Sequence, residues 1–284
     1  MYGTFYGWYL KCQSDTQTLA VIFAIHGAVR KRVCSIQIVT EDQSWVIPFS
    51  ADAFHKKGKN LSIGNNQIGE KGFRISINEP ELTMKGRVEF GPLSSLRYDI
   101  MGPFSLLPFL ECRHRVWSMR HSVRGTVYIN DRKYSFRRAV GYWEGDQGRS
   151  FPKVYAWTQC FFTGGSLMLS VADIPIAGFH FNGVIGVVLW QGREYRLATY
   201  LGARAVRIQN GMIRVVQGDM SLEARLLKTD AKNKKGHPLK APTMGNMERI
   251  IHESVTCQAS YRFRKGKHTL FAFKTNKASF EYEY

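Results

Sequence analysis

The sequence predicts an all-β protein. Short alternating or continuous apolar runs recur along the chain, turn residues separate them, and helical periodicity is nearly absent. Residues 19–25 form an apolar, partly β-branched run. In 33–40, Val33, Ser35, Gln37 and Val39 interleave with Cys34, Ile36, Ile38 and Thr40, the pattern of a strand. Phe73, Ile75 and Ile77 alternate with Arg74 and Ser76. Runs 126–129 and 133–136 flank Asn130-Asp131, and runs 183–190 and 194–201 flank Gln191-Gly192-Arg193, both in hairpin fashion. Runs 206–209 and 212–217 flank Asn210-Gly211, residue types that suit the left-handed backbone of a two-residue hairpin turn. Runs 269–273 and 278–282 close the series. One helical candidate stands against them: in 245–255, Met247, Ile250, Ile251 and Ser254 share a face at helical spacing. At most one short helix is therefore expected. Many short strands with Gly and Asn turns argue for a sandwich or barrel rather than alternating βα units.

Composition narrows the function classes. The 284 residues are 44% hydrophobic and 13% aromatic, which excludes a disordered chain and allows one large or two ordinary domains. The five cysteines (Cys12, Cys34, Cys112, Cys160, Cys257) are scattered and form no CxxC pair. The expectation is free thiols and no bound metal. No basic-then-apolar leader opens the sequence and no apolar run is long enough to span a bilayer, so a cytoplasmic monomer or weak dimer is expected. Forty basic against 22 acidic residues give a net charge of +18. The densest basic run is 225–240, with Lys228, Lys232, Lys234 and Lys235 against Asp230, and it reads as a solvated loop. Basic residues are not clustered with strand-presented aromatics, so no nucleic-acid partner is expected. Peripheral contact with an anionic membrane remains a use for the charge. GxGxxG after a strand, GxxxxGK[ST], GxSxG and HExxH are all absent, and no cofactor is expected.

The centre of the chain differs from the rest. Residues 111–121 read Glu-Cys-Arg-His-Arg-Val-Trp-Ser-Met-Arg-His, and 141–152 carry Gly141, Gly145 and Gly148 among Tyr142, Trp143, Glu144, Asp146, Arg149, Phe151 and Pro152. Three glycines in eight residues suggest a backbone that turns sharply or approaches something closely. Glu144 and Asp146, two apart, project on one face of an extended segment.

These blocks resemble the tocopherol cyclase family. The likeness runs in order through Gly7-Trp8-Tyr9-Leu10-Lys11, Cys112-Arg113-His114 with His121, Gly141-Tyr142-Trp143-Glu144-Gly145-Asp146, and Ser150-Phe151-Pro152 to Trp157 and Gln159. Ala198-Thr199-Tyr200 and 245–253 extend it over most of the chain. Tyr6 stands where the family commonly has an acidic residue and Gln147 where Trp is usual, which leaves the substrate open. The resemblance implies two lipocalin-like antiparallel β-barrel domains, 1–145 and 146–284, with the mid-chain block crossing between them. It also implies cofactor-independent chemistry on a prenylated quinol or polyene: an alkene is protonated and an oxygen captures the cation.

Such a reaction needs a buried acid, an apolar cavity and aromatic faces. Glu144 and Asp146 are the expected carboxylates, since burial together would keep a proton on one of them. An ion pair with Arg149 or Arg120 is the structural alternative. His114 and His121, seven apart, fall on opposite faces of a regular strand and so do not share a metal. Either orients Glu144 or acts as a base, or is simply a hydrogen-bonded core histidine. Trp8, Tyr9, Trp143, Tyr155 and Trp157 line a cavity or form plain core. Tyr142 and Gln159 offer hydrogen bonds to a phenol or quinone oxygen, and Arg149 completes the ligand-facing set. The partner is a small hydrophobic molecule in either of two functions: cyclase or hydratase, or a non-catalytic carrier.

Overall fold

The computed structural model describes residues 3–28, 30–107, 110–176, 178–229 and 236–284. Two antiparallel sheets account for most of them. The first holds β1 (Thr4–Gln13), β2 (Thr18–Gly27), β3 (Val33–Thr40), β4 (Ser44–Ser50), β5 (Phe54–Lys57), β6 (Asn60–Ile63), β7 (Asn66–Gly69), β8 (Gly72–Glu79), β9 (Leu82–Phe90), β10 (Cys112–Ile129) and β11 (Arg132–Gly148). The second holds β12 (Tyr155–Phe162), β13 (Gly165–Ile176), β14 (Phe179–Trp190), β15 (Arg193–Ala198), β16 (Arg204–Gln209), β17 (Met212–Gln217), β18 (Met220–Thr229), β19 (His237–Thr243), β20 (Asn246–Lys265) and β21 (His268–Tyr282). Among the described residues, helical turns are limited to short 3₁₀ pieces at Ala51–Ala53, Gly102–Leu106 and Thr199–Leu201.

The chain forms two compact units. One gathers the residues through Leu96, His114–Ser150 and Lys240–Arg249. Its sheet runs β4-β3-β2-β1-β11-β10-β9-β8-β7-β6-β5. A single apolar cluster draws on Leu10, Phe23, Ile36, Ile47, Ile63, Phe73, Met84, Val127 and Phe136. Residues of both terminal strands, Ile47 on β4 and Phe54 on β5, meet that same cluster. A sheet whose two ends share one core is curled on itself, which is how a β-barrel disposes of its edges. The segment after residue 239 is tied to this unit by hydrogen bonds between side chains and backbone. The Gln37 amide donates to the Lys240 carbonyl and accepts from its N–H, both at 2.9 Å, and Met244 N–H donates to Ser150 Oγ at 2.9 Å.

The other unit gathers Arg97–Arg113, Phe151–Leu239 and Ile250–Tyr284. Its sheet runs β15-β14-β13-β12-β21-β20-β18-β17-β16, with β19 added on β20. Ala156, Leu169, Val188, Leu222, Tyr261, Phe263 and Phe280 are among its core residues.

Most expected turns form as the residue types suggest. Asn130, Gln191 and Asn210 have φ of 50°, 48° and 51°, each at the head of its hairpin. The helix expected at 245–255 does not form. Met244 (φ 50°) and Gly245 (φ 86°) make a tight turn between β19 and β20, and Ile250, Ile251, Val255 and Thr256 continue as strand. Their β-branched side chains suit a pleated ladder better than a helix. The basic loop expected at 225–240 is also shorter than expected. Lys228 ends on β18 and Lys240 lies on β19, while Asp230, Lys232, Lys234 and Lys235 lie outside the described residues. All five cysteines are free thiols.

Candidate active site

The site grows from the pairing of β1 with β11. In register, Tyr9 faces Glu144, Lys11 faces Tyr142, and Gly7 faces Asp146. Directly paired residues of an antiparallel ladder share a face. Tyr9, Lys11, Tyr142, Glu144 and Asp146 therefore stand on one side of the sheet, and Trp8, Leu10 and Trp143 on the other. Lys11 is fully buried. Sequence reading quoted it in the opening motif without giving it a role, because nothing in the motif says that a lysine will lie under the sheet.

His114, from β10, joins the carboxylates. Its Nδ1 lies 2.9 Å from Asp146 Oδ1. Its Nε2 lies 3.1 Å from Glu144 Oε2, close enough for an ion pair though not aligned as a hydrogen bond. The His114 side chain is 10% exposed and that of Glu144 is 7% exposed. Burial alone would lower the imidazole pKa, but the charges of Asp146 and Glu144 override it and hold His114 well above its ordinary value. The cation between the two carboxylates is His114, where an arginine was the structural alternative.

Tyr142 completes the chain by donating its hydroxyl to Glu144 Oε2. Burial, and then the neighbouring Glu144, push the phenol well above its ordinary pKa, so Tyr142 stays a neutral donor. Both contacts of Glu144 fall on Oε2. Oε1 is left without a hydrogen bond among the described residues, on a side chain that keeps a little exposure. Oε2 is held by Tyr142 and His114.

His114, Glu144 and Asp146 also offer three ligand atoms within 4.8 Å of one another, a donor set suited to a divalent ion. The ring faces a different carboxylate with each of its two nitrogens, which is also the arrangement of an ion-paired imidazolium.

His121 lies on the opposite face of β10, as the odd spacing from His114 requires. It packs against Phe90 with centroids 4.4 Å apart, and its Nδ1 meets Ser118 Oγ at 2.9 Å. Burial lowers its pKa to about 4, so it is a neutral core histidine at ordinary pH. The glycines of the central block serve this core. A Cβ on Gly141 would lie 2.3 Å from His121 Nε2, and one on Gly145 would lie 2.4 Å from the Trp117 ring. Trp117 stacks on Trp143 at 5.2 Å, and Trp8 meets both edge-on. Trp8 and Trp143, expected at the ligand, thus pack with one another away from Glu144; Tyr9 is the first-strand aromatic on the Glu144 face. Arg149 is exposed, and its carbonyl accepts from Gly245 N–H.

Tyr155, Trp157 and Gln159 belong to the other unit, buried on the face of β12 that turns away from its core. There Tyr155 donates to Glu281 Oε2, Trp157 pairs in register with Glu281, and Glu281 pairs with the fully buried Glu253. Sequence reading missed both glutamates. The expected helix at 245–255 hid the strand register that brings Glu253 opposite Glu281.

No family model matches the chain, and no curated protein sequence matches it. Solved structures do. A crystal structure of CghA aligns at TM-score 0.62 with 8% identity, covering 99% of this chain and 88% of that one. CghA with Sch210972 aligns at 0.61 with 7% identity and the same coverage. Kievitone hydratase from Nectria haematococca aligns at 0.56 with 8% identity, covering 99% and 89%. At such identities the shared property is the fold.

Proposed function

We propose that this protein is a cofactor-independent cyclase or hydratase acting on a small hydrophobic molecule with an isolated alkene, a prenylated quinol or polyene by resemblance. The carrying observation is the buried chain Tyr142–Glu144–His114–Asp146, with Glu144 Oε1 left open. A hydratase among proteins of this fold agrees with proton-transfer chemistry. In the proposed reaction a proton passes from the Glu144–His114 pair to the alkene, and the cation is captured by the substrate's own hydroxyl or by water. The proton released from that oxygen returns to the pair, so cyclisation is a net isomerisation and hydration adds one water. His114 and Asp146 restore the proton on Glu144, and Tyr142 holds its carboxyl in place.

The test is incubation of the purified protein with geranylgeranyl and phytyl hydroquinones, together with mass spectrometry of small molecules that co-purify. An isomeric or hydrated product supports catalysis. Bound but unchanged ligand would favour the carrier reading instead.

A further inference from the structure

We propose that the free end of the β13–β14 hairpin is a membrane-docking element that seats the protein on an anionic lipid bilayer. β12 pairs with β13 only as far as Ala172, and β15 pairs with β14 only from Ile185 onward. Apart from the Asp173 N–H bond to the Val154 carbonyl, the ladder beyond those points continues between β13 and β14 alone, through Asp173↔Asn182, Ile174↔Phe181 and Pro175↔His180. The result is a two-stranded finger. Alternation gives it two unlike faces. Ile174, Phe179 and Phe181 share one, with Phe179 79% and Phe181 37% exposed. Asp173, His180 and Asn182 share the other, where His180 Nδ1 lies 2.7 Å from Asp173 Oδ2.

A bilayer suits this finger better than a second protein chain. An exposed apolar face flanked by polar groups is the pattern of an interfacial anchor. Tyr284 lies beside the polar face: it is 42% exposed and its hydroxyl donates to Asn182 Oδ1 at 3.2 Å. Tyrosines with a wet hydroxyl and an apolar ring collect at the headgroup level of membranes. The whole chain carries +18, which favours an anionic surface. Pro175 has no N–H to offer a partner strand, which disfavours edge-to-edge pairing with another copy.

The experiment uses the full chain and needs no substrate, so it fails or succeeds independently of the proposed chemistry. The protein is sedimented with vesicles of phosphatidylcholine alone and of phosphatidylcholine with phosphatidylserine, and compared with the double variant Phe179→Ser, Phe181→Ser. We expect binding to the mixed vesicles, weakened by added salt, and about a tenfold loss of affinity for each ring removed. An unchanged melting transition will show that the variant is folded, as the exposure of both rings predicts. Equal vesicle binding by parent and variant would overturn the proposal, as would no binding by either. Light scattering gives a further outcome: self-association of the parent that the variant loses would assign the finger to a protein contact instead, and also overturn it.

Discussion

Asp146 holds His114 across 32 positions of sequence, with Oδ1 at 2.9 Å from Nδ1. The contact fixes one edge of the imidazole and turns the other toward Glu144. An imidazole so placed keeps its proton above pH 6.5, because two negative neighbours outweigh the penalty of burial.

From this follows a pH dependence. A raised folded-state pKa stabilises the protein fully below the unfolded value near 6.5, and that contribution is lost as pH rises through the folded value. Imidazole resonances followed by NMR should therefore show one histidine titrating well above 6.5. His114→Gln should remove that titration and the alkaline loss of stability that accompanies it.

Glu144 and Asp146 should behave differently when replaced. Glu144→Gln removes the carboxylate that takes up the His114 proton and passes it to the alkene, while keeping shape, and about 10²–10⁴-fold of turnover should disappear. Asp146→Asn acts through His114. It should cost less, and it should move the alkaline limb of the pH–rate profile downward, since His114 loses one of its two negative neighbours. An unshifted limb would remove Asp146 from the positioning role.

His121 governs the acid side. Its pKa is lowered from 6.5 to about 4 by burial, so the unfolded chain binds a proton there before the folded one does. Stability should fall as pH drops from 6.5 towards 4, by up to about 3 kcal/mol at ~1.4 kcal/mol per unit. His121→Gln should flatten this part of a chemical-denaturation series against pH.

Gly145 should tolerate no side chain. A Cβ there would lie 2.4 Å from Trp117 and 2.7 Å from the Gly7 carbonyl oxygen, and the latter is backbone. Gly145→Ala should cost about 1–3 kcal/mol by overpacking, read as a lower melting temperature. Gly164→Ala, where nothing lies within 4 Å of the added carbon, tests a different cost, that of φ +77° alone.

Part of this site was legible in the chain. Spacing alone puts Tyr142, Glu144 and Asp146 on one face, and puts His114 and His121 on opposite faces. What spacing could not give is which residues of β10 meet which of β11. Counting back from the Asn130 turn fails, because Arg137 and Arg138 are both exposed and the buried alternation of Tyr134 and Phe136 resumes one residue out of phase at Ala139. An interruption of that kind, as at a β-bulge, re-aims every later side chain, so the contact between His114 and Asp146 was beyond reach. The strand at 246–265 was hidden for another reason. Apolar residues three and four apart satisfy a helix, and only the Met244-Gly245 turn and its ladder partners decide otherwise.

The central claim is that the Tyr142–Glu144–His114–Asp146 chain delivers a proton to an alkene. The most direct measurement is turnover of a prenyl hydroquinone in deuterated water, with the product weighed by mass spectrometry for the parent and for Glu144→Gln. A carbon-bound deuteron is expected in each product molecule from the parent, and little product from the variant. Product that forms without deuterium, or equal turnover by the two proteins, would contradict it.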